Sequence, residues 1–251
     1  MARIIQKDKE KLVFSAEIKE SLANAIRRSA LEIPILAIDD VEIYKNDSAL
    51  YDEIIAHRLG LVPLKYDGDL ELREDCSCKG EGCSKCSAQL KLQASGPGLV
   101  YSKELKGKTD VVYEGIPITL LRENQELELV ATAVLGKGTE HAKFSPGLVY
   151  YRNLAEIEFK NCEACKECVE ACPLGLIQLE GKKASVKDVW KCDMCEACVV
   201  ACKKKGSGEI SVKPSKEIVY FIESFGQIDA KEILSEAVKA LKLNLKKVEK
   251  A

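Results

Sequence analysis

Eight cysteines between positions 162 and 202 repeat one spacing twice, first as Cys162-x2-Cys165-x2-Cys168-x3-Cys172-Pro173 and then as Cys192-x2-Cys195-x2-Cys198-x3-Cys202. No other feature restricts the fold so tightly, because the thiolates must converge on something. The x2 steps let three of them wrap one face of a cubane, and the x3 step carries the fourth into a helical turn aimed at a second cubane. The expectation is two [4Fe-4S] clusters, one on Cys162, Cys165, Cys168 and Cys202, the other on Cys192, Cys195, Cys198 and Cys172. Disulfides and zinc also use thiols. Two consecutive matches to the eight-cysteine pattern, with proline behind one fourth ligand, favour the clusters over both.

The run is similar to that of bacterial ferredoxins, yet it covers about forty of the 251 residues. A free-standing two-cluster ferredoxin needs little more, so the flanking chain must carry another role. With 46% apolar and 31% charged residues the composition is that of an ordinary globular chain, able to build a core without staples. Lys plus Arg number 38 against 40 Asp plus Glu, a net charge of -2. There is no global basic field, so no direct sequence-specific nucleic-acid contact is expected. Charges interrupt the N-terminal MARIIQKDKEKLVF, and every apolar stretch falls short of the roughly eighteen residues that span a membrane. No membrane association and a cytoplasmic location are expected. Cysteines gathered in three tight clusters, with none elsewhere, cannot staple distant elements; in a reducing compartment they read as metal ligands.

The third cluster is Cys76-x-Cys78-x4-Cys83-x2-Cys86, with Gly80 and Gly82 supplying turns between the two pairs. Four thiolates on a short Gly-rich loop suit tetrahedral, structural Zn2+, since no histidine or carboxylate at suitable spacing leaves an open position. A disulfide pair or a partly metallated loop, and a third iron–sulfur centre, remain the alternatives.

Around the cysteines, residues 2–15 suggest a two-stranded start, and Ile18, Leu22, Ile26 and Ala30 place a helix over about 16–31, stopped by Pro34. ILAIDDVEIY at 35–44 reads as a strand, with Asp39-Asp40 at a solvated strand end, and a second helix is expected over about 48–59, ended by Gly60 and Pro63. Strands are expected at 90–94, 116–121, 126–135 and 216–224, the last followed by a helix opening on a capping-box pair, Asp229 and Glu232. Ile233, Leu234, Ala237, Val238, Leu241, Leu245 and Val248 make one stripe along that helix. The stripe either packs on its own domain or carries its far end into a subunit interface.

Three stretches carry a family resemblance: LANAIRRSALEIPILAIDDVEIYKNDSALYDEIIAHRLGLVPL at 22–64, GTEHAKFSP at 138–146 and FIESFGQIDAKEIL at 221–234. Asn24, Arg27, Arg28, His57 and Arg58 stand within them. Nearly the whole chain resembles the D subunits of archaeal RNA polymerase, relatives of the third subunit of eukaryotic RNA polymerase II and of the bacterial alpha subunit's N-terminal domain. The resemblance implies an α+β, alpha-like polymerase subunit. Its discontinuous dimerisation domain would take residues 1–37 and 215–251, its β-rich insert domain 38–156 with the cysteine loop at 76–86, and an inserted ferredoxin-like domain 157–214. The cysteine loop resembles the zinc loop of the eukaryotic relative, except that its middle gap here is four residues.

What the resemblance implies for function is a non-catalytic subunit that pairs with a small alpha-like partner, subunit L, to form a platform for the two large catalytic subunits. The residues agree on the negative. The sequence has no DxDGD-type carboxylate cluster, no phosphate-cradling Gly-rich loop and no visible Ser/His/Asp arrangement, so no catalytic residue is expected. Its two histidines, His57 and His141, read as structural hydrogen-bonding groups. The competing reading is an iron–sulfur electron-transfer component of an oxidoreductase; no flavin or nicotinamide fingerprint accompanies it, and what co-purifies discriminates the two.

Overall fold

The computed structural model describes residues 2–66, 68, 70–181, 183–205 and 208–250. The chain opens with β1 (Arg3–Lys7), β2 (Lys11–Ala16), α1 (Glu20–Ser29), β3 (Ile35–Asn46) and α2 (Asp52–Gly60). There follow β4 (Ser87–Ser95), β5 (Gly98–Tyr101), β6 (Lys106–Gly107), β7 (Pro117–Leu121), β8 (Glu126–Gly136) and β9 (Gly147–Lys160). The cysteine-rich stretch holds α3 (Glu167–Ala171), β10 (Ile177–Glu180), β11 (Lys183–Val186) and α4 (Ala197–Lys205), before β12 (Glu209–Ser224) and α5 (Ala230–Glu249). The fold is mixed α and β, as expected. It divides into two compact units: residues 1–7, 12–24 and 150–221 form one, and residues 8–11, 25–149 and 222–251 the other.

The second unit is built on the antiparallel sheet β3-β8-β4-β6, with β5 and β7 paired separately. Alternation drives it. Leu127, Leu129, Ala131 and Ala133 of β8 and Ala88, Leu90 and Leu92 of β4 all point to one face, as period two requires, and pack with Ile55 and Leu59 of α2. Each fully buried leucine or isoleucine contributes roughly 1.5–3 kcal/mol relative to exposure, so this layer is the main apolar store of the unit. Asp39 and Asp40 stand at a bulge within β3 rather than at a strand end. Asp39 accepts from Lys143 Nζ at 2.6 Å, and Arg73 lies 3.6 Å from each carboxylate.

The helix α2 starts later than the periodicity suggests. Asn46 claims the preceding residues: its Nδ2 donates to Leu50 O and Asp52 Oδ1, while its Oδ1 accepts from the Ser48 backbone and hydroxyl. A side chain bonded to nearby backbone offers an alternative to helix. Asn46→Ala is expected to lower stability by about 1 kcal/mol, the net worth of such bonds, measured as a shift in denaturation midpoint; no shift would assign the turn to other contacts.

Asp229 sits at the N-cap of α5, but its side chain makes no capping bond, so the expected capping box is absent; instead the Ala230 N–H donates to Lys9 O. The stripe of α5 is split. Ile233 and Ala237 are buried, whereas Leu245 and Val248 at the far end are 55% and 74% exposed.

The first unit holds the sheet β1-β2-β12-β9 and the cysteine-rich module. Tyr220 of β12 is fully buried, stacked on Phe14 with ring centres 5.2 Å apart, and donates its hydroxyl to Ala23 O of α1. α1 begins only at Glu20, not near residue 16; Ala23 is buried, but Leu22, expected on the apolar face, is 45% exposed. β9 and β12, of 14 and 16 residues, run on from the sheet to the start and end of the module. They meet tightly at its neck. A Cβ on Gly208 would lie 2.8 Å from Lys160 O, so only glycine fits there.

Candidate metal centres

Each half of the eight-cysteine run begins as a loop of unusual backbone. Ala164 and Lys166 flank Cys165 with φ of 61° and 68°; Met194 and Glu196 flank Cys195 with φ of 57° and 58°. Left-handed backbone at non-glycine residues carries strain and persists only where the surroundings demand it. Here the same strain recurs at equivalent steps of both loops. It bends the chain back on itself so that successive thiols turn inward, and in each loop a helix, α3 or α4, begins just after and carries the later cysteines.

The eight thiols line two cavities. One is lined by Cys162, Cys165, Cys168 and Cys202 among Phe159, Leu179 and Ile210. The other is lined by Cys172, Cys192, Cys195 and Cys198 among Leu176, Ile177, Val186 and Val212. Each cavity thus draws three cysteines from one loop and the fourth from the other half of the run. The apolar walls were not legible as site residues in the sequence, because their spacing is that of ordinary strand alternation. Cys168 and Cys202 are buried, while Cys165 and Cys195 are exposed. Burial pushes the Cys168 thiol up, and neighbouring Cys162, Cys165 and Cys202 add to the rise; burial likewise pushes up Cys198, with Cys192 and Cys172 adding to it. Four thiolates so crowded repel one another, and a group carrying positive metal charge relieves them while expelling their protons. The donor set, three cysteines from one loop and one from the other half of the run, and the apolar lining fit a cubane cluster in each.

In the second unit the Sγ atoms of Cys76, Cys78, Cys83 and Cys86 all lie within 4.8 Å of one another. Cys76 and Cys83 are 3.6 Å apart, Cys78 and Cys86 3.6 Å, Cys83 and Cys86 3.9 Å. Bonds of about 2.3 Å to a central tetrahedral zinc place sulfurs about 3.8 Å apart, so the loop fits one ion. The separations are far beyond a disulfide bond. The Gly82 N–H, and more weakly that of Gly80, stabilises the Cys78 thiolate and brings its pKa down to about 6. Cys76, despite the Cys78 N–H that favours its thiolate, is pushed up to about 12 by desolvation and by bonds to the other thiols.

The remaining candidates separate. His141 Nδ1 accepts the Lys143 N–H at 3.1 Å, closing the turn Ala142–Phe144. His57 and Arg58 are exposed on α2, Arg58 donating to Pro117 O. Among the described residues no helix is long and apolar enough to cross a membrane.

Comparison with known proteins divides the chain along the same lines. Residues 41–149 match the RNA polymerase Rpb3/RpoA insert domain, and residues 154–203 match the 4Fe-4S dicluster domain. Across its length the chain is similar to DNA-directed RNA polymerase subunit Rpo3 of Archaeoglobus fulgidus, 38% identical over 92% of this chain and 89% of the relative. The subunit of the same name from Methanothermobacter thermautotrophicus is 40% identical over 94% and 92%, and that from Thermococcus kodakarensis 36% over 95% and 92%.

Proposed function

Because the chain belongs to the Rpo3 family of DNA-directed RNA polymerase subunits, we propose that it is a non-catalytic polymerase subunit that pairs with a small alpha-like partner, subunit L, and presents the pair as a platform to the large catalytic subunits. The observation that carries this reading is similarity at 36–40% identity over nine-tenths or more of the chain. Two surfaces support the pairing. The far end of α5 leaves Leu245 and Val248 in solvent, and α1 leaves Leu22 there; apolar residues at regular helical spacing on a free face mark an interface. In this reading residues 1–37 and 215–251 make the dimerisation domain, 38–156 the insert domain and 157–214 the ferredoxin-like domain, and the protein works in the cytoplasm.

The cysteines complete the proposal. Cys162, Cys165, Cys168 and Cys202 hold one [4Fe-4S] cluster, Cys172, Cys192, Cys195 and Cys198 the other, and Cys76, Cys78, Cys83 and Cys86 a structural Zn2+. Such groups supply folding energy to the segments that ligate them. Cys78→Ser with Cys86→Ser is expected to abolish zinc binding and raise amide exchange over residues 70–87, with the strands of the β3-β8-β4-β6 sheet still protected. Zinc retained at one per chain would refute the assignment.

The test of the whole reading is co-expression with the small alpha-like subunit. A stoichiometric complex that recruits the large subunits is expected. Separate elution of the two chains, with a flavoprotein or dehydrogenase co-purifying instead, would overturn it in favour of electron transfer.

A further inference from the structure

The only tryptophan of the chain, Trp190, stands two residues before Cys192. Between β11 and α4 the one regular element is the 3-10 turn Val189–Lys191, entered through Asp188 at φ 53°. The Lys191 ammonium braces this turn by pairing with Asp188 at 2.9 Å and by lying 5.0 Å over the Trp190 ring. On one side Cys192 follows directly and lines the second thiol cavity. On the other, Trp190 packs with Ile5 and Leu154 against Val13, Val219 and Phe221 of the sheet β1-β2-β12-β9.

The seat of Trp190 is specific. Its ring centre lies 6.2 Å from that of Phe221, which is itself stacked on Tyr150 at 4.7 Å. Arg152 of β9 donates Nη2–H to the Trp190 carbonyl at 2.9 Å, and its guanidinium lies 5.0 Å from the Phe221 ring centre. Arg152 Nε is buried with no partner. An unmatched buried donor is costly, so the guanidinium is placed by the Trp190 carbonyl and the Phe221 ring and not by its own best solvation.

We infer that Arg152 and Trp190 are positioning residues for the cluster held by Cys172, Cys192, Cys195 and Cys198, seating the Val189–Lys191 turn on the sheet so that Cys192 is presented to the cluster. The inference rests on the cluster assignment proposed above. Coupling between two anchors of one turn is reciprocal: what the sheet does for the cluster, the cluster does for the seat of Trp190. It is also selective. Cys162, Cys165, Cys168 and Cys202 enter from the end of β9, α3 and α4, and none of them adjoins the turn.

The experiment is release of iron from the anaerobically reconstituted full chain to a chelator, followed by visible absorbance, in the unmodified protein and in Trp190→Ala, Arg152→Met and Trp190→Phe. In the first two variants, half of the bound iron is expected to leave about fivefold faster or more, the lower end of couplings between linked sites, while the other half keeps the unmodified rate. Trp190→Phe, which preserves an aromatic plug, restores most of the difference. In the unmodified chain, removing the clusters raises amide exchange over residues 187–193 and exposes Trp190 to acrylamide. Equal acceleration of both halves means general destabilisation and overturns the inference, as do unchanged rates with iron normally loaded. A reconstituted chain that takes up no iron overturns the cluster assignment itself, and this inference with it.

Discussion

Replacing Cys168 and Cys198 by serine is expected to strip the chain of nearly all its iron and labile sulfide and to unfold most of residues 161–205, while residues 25–149 stay folded. The reason is the size of the module's own core. Among the described residues the centre of that core is Cys168, Ile177, Cys202 and Ile210, two of them thiols, and what packs around it, such as Ile157, Phe159 and Val212, is only partly buried. A segment of some forty residues with so little apolar burial does not fold unaided and depends on a metal or a cross-link. If the clusters are bound as proposed, ligation energy is folding energy, and exposure to oxygen or a shortage of iron is expected to unfold the module as mutation does. Circular dichroism loss confined to this segment, amide exchange rising there and not in β3, β4 and β8, and unchanged pairing with the small partner are the expected results. If the double variant stays protected over residues 161–205, or loses its partner, the clusters are not local supports.

Leu241→Glu with Leu245→Glu is expected to break the pairing while leaving the isolated chain folded. Leu245 is 55% exposed in the chain alone, so charge there costs the monomer little. Buried against a partner, two leucines contribute together about 3–6 kcal/mol, which corresponds to a loss of roughly two to four powers of ten in affinity. Size-exclusion chromatography at micromolar concentration should show two separate chains in place of one complex. Unchanged co-elution would remove the far end of α5 from the interface. The same substitution at Ile233, fully buried within the second unit, would instead destabilise the chain itself, which separates the two halves of the helix by experiment.

What depends on spacing along the chain could be read from the residues alone. The grouping of the cysteines was legible because it follows from short fixed intervals: the structure gathers Cys162, Cys165 and Cys168 with Cys202, and Cys192, Cys195 and Cys198 with Cys172, around two cavities. The loop at Cys76–Cys86 was legible for the same reason. So were the period-two core of β8 and the stops at Pro34 and Gly60, since alternation and backbone restriction act within a few residues.

Tertiary structure decided what depends on residues far apart in the chain. Leu22 and Ala23 are neighbours on an apolar pattern, and only the fold, which brings Tyr220 of β12 to the Ala23 carbonyl, makes Ala23 buried and Leu22 exposed. Asp39 and Asp40 are exposed, as they read, but only the fold puts them at a bulge within β3 and brings Lys143 and Arg73 to them. The length of β9 and β12 was hidden because Pro214 and scattered charges blur alternation, which pairing in the β1-β2-β12-β9 sheet overrides. The Arg152–Trp190 contact had no local signal at all. A guanidinium on β9 and a carbonyl 38 residues later meet only in the folded chain, and no short window of sequence contains both.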